Sequence, residues 1–495
     1  MKYQRILLIQ PPWYRLFGSG VTLKLPLGLC YISALLNKHG FKASVYDAEF
    51  DSKVTANLST SGMTSNIDDY LEKNRNLNHQ IWKDIEGKIK SYNPDVVGIS
   101  VKTPALRSAM NIAQICRNIN PDIKIVMGGF HATCLPEETI SSKNVDFVVI
   151  GEGEYAFLRL LESLNSGEDL KKCKGLVYKD VAGRVLINPP GELIPDLDEL
   201  PNPDRDNVLD AEKYPKESYG EIFTGRGCPY RCIFCASMRV WGRKTRHRSA
   251  KRVVDEIEYV HKKYGTKYFC IEDDTFMMDR NRMNEFCDLL MERKLPIKWE
   301  CETRVNLVTR DSLEKIKRAG CVLLNVGVES GNDETLKKIK KDITISQIQS
   351  AFKLIHSLKI PVSAYIMIGF PWETKEEMVQ TVSFAESLLP QRLVMSVVTP
   401  YPGIELFDIC NNEFNMRLDN NCSWEEFFHQ SNRVVLPNMK PEEFNDLVVM
   451  LEKRVMNYTI KMSFRSLDFW KARIGAYLIR PRKIIDDIYS VVKQI

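Results

Sequence analysis

No stretch of this chain reaches the roughly 18 consecutive apolar residues of a membrane-spanning helix, which argues against an integral membrane protein. There is no internal repeat and no low-complexity tract, so neither a solenoid nor a disordered array is expected. The charge is nearly balanced: 69 Lys and Arg against 64 Asp and Glu leave +5 over 495 residues, and nothing in that excess calls for nucleic acid. The opening apolar run is only 6–10, cut off by Pro11-Pro12, too short for a signal peptide. A disulfide framework is lacking as well. The 13 cysteines are odd in number and show no secreted spacing, so a reducing, cytoplasmic setting is expected. What remains is ordinary globular composition, 44% hydrophobic and 27% charged, with length enough for two or three domains.

Within that background one loop stands out: Gly225-Arg226-Gly227-Cys228-Pro229-Tyr230-Arg231-Cys232-Ile233-Phe234-Cys235. Its three cysteines fall at C-x3-C-x2-C spacing, which chance produces on the order of 0.01 times in a chain of this cysteine content. Thiolates are the usual ligands of iron–sulfur clusters, and three rather than four leave one iron of a four-iron cluster open to a chelating ligand. Gly225 and Gly227 let the backbone wrap closely. Structural zinc is the competing reading, but it wants a fourth ligand, and His247 is the only one nearby.

Upstream, short apolar runs at 5–10, 42–47, 96–100, 124–127 and 146–150 alternate with helical patterning at 27–38, about 78–91 and 105–117. The alternation predicts an α/β domain over 1–165, a doubly wound, flavodoxin-like parallel sheet; 51–78 reads as a polar excursion. Ligands of such sheets bind beyond the carboxyl ends of the strands. Those ends carry Pro11, Ser100, Thr103, Gly128, Gly129, His131, Gly151 and Glu152, although glycines there also serve as plain turn residues. Residues 166–217 read as a connector, with a hairpin at 175–187 and a proline-rich arm. From 218 to 410 six strand–helix units follow, strands at 221–224, 268–271, 298–302, 323–327, 362–368 and 393–398, predicting a partial (β/α)6 barrel with polar residues at its strand ends. Residues 411–495 read as helical. In 461–483 seven Lys or Arg face a single acid among aromatic and aliphatic residues. A helix packed on the barrel with a solvated basic face is the favoured reading; a basic amphipathic helix in peripheral contact with an anionic membrane is the other.

The cysteine loop, with an aromatic before its last cysteine, resembles the cluster loop of the radical S-adenosylmethionine (radical SAM) superfamily. An N-terminal half whose strands end in G-G-x-H and G-E-G-E is similar to that of the superfamily's cobalamin-binding class. The resemblance implies a [4Fe-4S] cluster on Cys228, Cys232 and Cys235, with S-adenosyl-L-methionine chelating the open iron and cleaved to a 5′-deoxyadenosyl radical. It implies Phe234 near the adenine, and Glu272 and Asp273 at the SAM amine. Arg304 is implied at the carboxylate, where a guanidinium offers a bidentate fork. Glu329 and Ser330 fall at the ribose or methionine head, Gly369 and Glu373 near the adenine. Cobalamin is implied over the first sheet's edge. The loop after the first strand, Pro11-Pro12-Trp13-Tyr14-Arg15-Leu16, lacks the histidine of the class's D-x-H-x-x-G motif. His131 reads equally well as a ligand and as a satisfied loop histidine. The implied activity is cobalamin-dependent methylation of an unactivated carbon. A cyclase or oxidase with the same cofactors is the alternative, and a non-catalytic iron–sulfur redox or binding protein is the reading from another class. Expected partners are an electron donor such as flavodoxin or ferredoxin and a small-molecule or lipid-like substrate.

Overall fold

In a computed structural model, which describes residues 1–18, 24–51, 63, 66–418, 423–428 and 436–464, two sheets face each other through a shared opening. The first contains β1 (Arg5–Gln10), β2 (Lys42–Asp47), β3 (Val96–Ser100), β4 (Lys124–Gly128) and β5 (Phe147–Val149), parallel and in the order β2-β1-β3-β4-β5. β1, β3 and β5 are nearly continuous apolar runs because both faces are covered. Ile6 and Leu8 pack with the helices Leu27–Lys38 and Gly153–Ser166; Leu7 and Ile9 pack with Gln80–Tyr92 and Leu106–Ile119. The order reverses on either side of β1, so the carboxyl ends of β1 and β3 flank a switch point, the usual ligand crevice of such sheets.

Two expectations are revised here. The hairpin assigned to the connector, β6 (Leu176–Lys179) and β7 (Val185–Ile187), extends the first sheet as its antiparallel end. It satisfies the outer edge of β5, whose backbone groups would otherwise lack partners. The polar excursion contains a helix, Ile67–Arg75; residues 52–62, 64 and 65 lie outside the described residues.

The second sheet is parallel throughout, its strands lying side by side in the order 392–397, 362–368, 321–329, 298–303, 268–271 and 221–222. Its strands are β8 (Glu221–Ile222), β11 (Tyr268–Ile271), β12 (Lys298–Thr303), β13 (Cys321–Glu329), β14 (Val362–Ile368) and β15 (Arg392–Val397). Six strands make an open barrel with edges at β8 and β15. Alternation separates its faces: Trp299 joins Phe276 and Phe286 in an outer aromatic cluster with ring centroids 5.3–5.6 Å apart, while Glu302, Asn325 and Ser363 align across neighbouring strands on the inner face. The helix Pro441–Phe464 covers the β15 edge: Leu393 N–H donates to Thr459 Oγ1 at 3.2 Å, and Tyr458 donates to Pro390 O at 3.0 Å. Residues 465–495, and with them most of the basic segment 461–483, lie outside the described residues. No helix among the described residues is long and apolar enough to cross a membrane.

Candidate active site: the cysteine loop and the cavity beside it

The cysteine loop is clamped at its base by a two-residue antiparallel ladder between β9 (Gly225–Arg226) and β10 (Arg246–His247). Gly227 has φ +87°, and a Cβ there would overlap the Lys244 carbonyl oxygen, so only glycine fits. Asp273 holds the loop from below. Its carboxylate accepts from Thr224 N at 2.6 Å, Gly225 N at 2.9 Å and the Thr224 hydroxyl, and pairs with Arg282 at 3.5 Å. Asp273, expected at the SAM amine, is therefore fully engaged as a loop anchor.

Cys228, Cys232 and Cys235 are each half-buried. Desolvation pushes the Cys228 thiol up and the Cys235 thiol up to about 12, so binding iron there means displacing protons. Arg304 donates Nη1–H to Cys232 Sγ at 3.3 Å and Nη2–H to Lys341 O, with its guanidinium 3.6 Å from the Tyr230 ring centroid. The guanidinium expected at a carboxylate is thus stacked and turned toward a sulfur, where a cation stabilises a thiolate. Among the described residues no three His, Cys, Asp or Glu side chains close on one point as a single metal ion would require; the donor set is three thiols in one loop, chemistry that suits a cluster.

The inner face of the barrel carries residues that sequence reasoning missed. Lys341 is buried, with Nζ 2.5 Å from Glu329 Oε1 and 6.0 Å from the Phe234 ring centroid. Gly327 leaves room for that pair: a Cβ there would meet both charged groups. Glu329 itself has φ +65°, unusual for a residue with a side chain. Among the described residues the Glu302 side chain makes no hydrogen bond or ion pair; it is exposed to the open barrel interior, and crowding by the surrounding protein, then Glu272 and Asp274, push its carboxyl up to about 7. The signals were faint: a lysine past the fourth strand's end and an acid at even spacing within the third strand.

Other residues expected at SAM have partners within the protein. Ser330 is fully buried, its hydroxyl 3.3 Å from that of Thr381. Glu373 accepts from Gly369 N and Phe370 N, both at 2.9 Å, and burial pushes its carboxyl up to about 7. Gly369 has φ +89° and packs against Phe444 of the last helix. Phe234 meets Phe370 edge-on at 6.4 Å. Only Glu272 of this group opens into the adjoining cavity, paired with Lys24 at 2.8 Å.

That cavity has a volume of about 810 Å³ and lies between the two sheets. One wall is the carboxyl edge of the first sheet, with Ser100, Thr103, Gly128, Gly129, Gly151 and Glu152; the other includes Ala236, Ser237, Trp241 and Glu272 beside the cysteine loop. An apolar recess runs back between the first sheet and its helices, past Leu8, Gly98 and Phe157. The glycine-floored edge and the recess fit a broad macrocycle with an appended tail. Two expected residues do not line the cavity. Pro11 lies in a loop whose Trp13, Tyr14 and Arg15 amides wrap the buried Glu49 carboxylate at 2.7–3.0 Å. His131 is buried edge-on against Trp424 at 5.6 Å, its Nδ1 3.4 Å from Thr103 Oγ1 and its Nε2 without a partner among the described residues; desolvation lowers its pKa to about 4. Glu152 lines the cavity, but its carboxylate is engaged by Arg226 at 3.0 Å, Arg246 at 2.8 Å and Ile194 N at 2.6 Å. Glu154 pairs with Arg226 at 2.5 Å. These buried charges join the edge of the first sheet, the connector and the base of the cysteine loop.

Residues 222–385 match the radical SAM superfamily and residues 23–161 match the B12 binding domain. An uncharacterized methyltransferase of Pyrococcus horikoshii is 32% identical over 99% of this chain and 96% of its own length. The anaerobic magnesium-protoporphyrin IX monomethyl ester cyclase of Rubrivivax gelatinosus is 31% identical, covering 76% of this chain and 67% of its own. Among solved structures, a radical SAM methyltransferase from Kitasatospora setae, TsrM, with cobalamin and a [4Fe-4S] cluster bound, superposes with a TM-score of 0.65 over 90% of this chain and 88% of that one, at 18% identity.

Proposed function

Because the chain belongs to the radical SAM superfamily, in the class that carries a B12-binding domain, we propose that it transfers a methyl group to an unactivated carbon of a small molecule. The observation that carries this reading is the single cavity lined by the glycine edge of the first sheet and by the flank of the cysteine loop. A methyl group moving from one cofactor to a carbon activated by the other requires both to face one enclosed space. When bound, the cluster and SAM supply a 5′-deoxyadenosyl radical, and cobalamin supplies a transferable methyl group.

Cys228, Cys232 and Cys235 hold the cluster, and Arg304 stabilises the charge on Cys232. Lys341 holds the SAM carboxylate: an ammonium has three donors, and Glu329 takes one. Glu329 and Glu302 face the same space and suit the SAM amine and ribose hydroxyls, with Phe234 at the adenine. Gly128, Gly129 and Gly151 floor the corrin site, with Ser100 and Thr103 at its rim. Trp241, Tyr401 and Phe428, also on the cavity wall, exclude water from the reacting carbon. A reductant completes the system, a flavodoxin or ferredoxin in our reading, and an oxygen-sensitive cluster supports a reducing, cytoplasmic setting.

The similarity to a cyclase favours one second reading, in which the substrate radical closes a ring instead of accepting a methyl group. Anaerobic reconstitution with iron, sulfide, cobalamin and SAM bearing a trideuterated methyl group tests both. Methylation predicts 5′-deoxyadenosine and label on cobalamin, both lost when Cys228, Cys232 and Cys235 are changed together to Ala. 5′-Deoxyadenosine without label on bound cobalamin would leave the cyclase reading. Absence of 5′-deoxyadenosine under reducing conditions would end both.

A further inference from the structure

From Ile222 to Val254 the chain contains no acidic residue and nine basic ones, in a protein whose overall excess is only +5. Six of the nine are engaged by the fold. Arg226 and Arg246 pair with Glu152 and Glu154, Arg248 with Glu256 and Lys251 with Asp255. Arg252 donates to Leu200 O, and Arg239 bonds Cys134. The remaining three, Arg231, Arg243 and Lys244, are exposed and meet no carboxylate among the described residues. They sit together. Arg243 donates Nη1–H to Tyr230 O at 3.0 Å, next to Arg231, and the 242–244 segment runs beside the loop, with Cys228 N–H donating to Gly242 O at 3.4 Å. None of the three pairs with an acid among the described residues, and all three lie in or beside the cysteine loop.

We propose that Arg231, Arg243 and Lys244 form the docking surface for a small acidic electron-transfer protein that reduces the cluster, an inference that rests on the radical SAM reading above. One electron leaves the donor's reduced flavin or iron–sulfur centre and enters the cluster; no bond or proton moves. Unpaired cations raise the encounter rate with an anionic partner and orient it, and the effect falls as salt screens it. Placed around the loop, they bring the donor to the face of the chain on which the half-buried cysteines lie.

The test is stopped-flow reduction of the reconstituted holoenzyme by an acidic flavodoxin, with reduced methyl viologen, a cation, as the donor that needs no docking. Arg231→Glu combined with Lys244→Glu leaves the Arg243–Tyr230 bond intact, and adding Arg243→Glu completes the reversal. The expected result is a flavodoxin rate that falls at least about tenfold in the triple variant at low salt. The wild-type rate should fall with rising ionic strength and the variant rate should not. Viologen-driven reduction and SAM cleavage should stay within about twofold of wild type. Equal flavodoxin rates and equal salt dependence in wild type and both variants would overturn the proposal. If wild type fails to cleave SAM even with viologen, the radical SAM reading fails and takes the docking proposal with it.

Discussion

The buried charges that bind the two sheets invite a quantitative perturbation. Glu152, Arg226 and Arg246 have side chains 4%, 8% and 3% exposed, and with Glu154 they form a neutral set of two acids and two bases. Glu152→Gln keeps the shape and one acceptor oxygen but leaves a net positive charge buried. Arg226 retains Glu154; Arg246 retains only the carbonyls of Ile194 and Trp241. Removing one partner of a buried pair costs roughly 3–5 kcal/mol, so the amide should cost about 2–4 kcal/mol. Arg246→Met removes the stranded cation, so the double variant should be less destabilised than the sum of the singles by at least about 1.5 kcal/mol. The assay is urea unfolding of the two singles and the double, with amide hydrogen exchange at Gly225–Cys228 as the local reporter. The cysteine-loop amides should lose protection in Glu152→Gln although the substitution lies in the other sheet's domain. Additivity within about 0.5 kcal/mol, with loop protection unchanged, would show that the charges act independently and refute the clamp.

Three further outcomes follow from the site. Glu373 has its carboxyl raised from 4.5 to about 7 by burial, so between those values the folded chain keeps a proton the unfolded chain has lost, and stability falls as pH rises through that window by about 3 kcal/mol; Glu373→Gln should abolish that fall in urea midpoints taken at pH 5 and pH 8, and parallel wild-type and variant curves would sink the assignment. Lys341→Met should weaken SAM binding by about 2 kcal/mol or more in equilibrium dialysis, while Arg304→Lys should lower cluster content with less effect on SAM affinity; the reverse ranking would return the carboxylate to Arg304. His131→Ala should leave the absorption and paramagnetic spectra of bound cobalamin unchanged, because the buried ring packs edge-on against Trp424 and does not line the cavity; an altered axial signature would make it a ligand.

Much of the architecture was legible in the chain because its signals are local. Strand runs buried on both faces are nearly continuously apolar, so 5–10 and 96–100 stood out. Three thiols within eight residues need no tertiary structure to be neighbours, and Gly227 next to them announced a backbone no side chain could follow. Local signals also misled where the partner was distant. Asp273, Arg304, Ser330 and Glu373 stand at strand ends where ligand contacts are expected, yet each is engaged by protein: a loop amide, a cysteine sulfur, a threonine hydroxyl, a turn. A charged group at a strand end looks the same in sequence whether it faces a ligand or braces a loop, because only its partners distinguish the two. The hairpin 175–187 could not be assigned to the first sheet without knowing that β5 had a free edge. Lys341 and Glu329 are twelve residues apart and meet only because the chain returns beneath the cysteine loop. The shared cavity is the clearest case. Residues 100, 128 and 151 share a cavity with 237 and 272 where Glu152 and Glu154 pair with Arg226 and Arg246, and no periodicity or spacing encodes a contact that two sheets far apart in the chain make through buried charge.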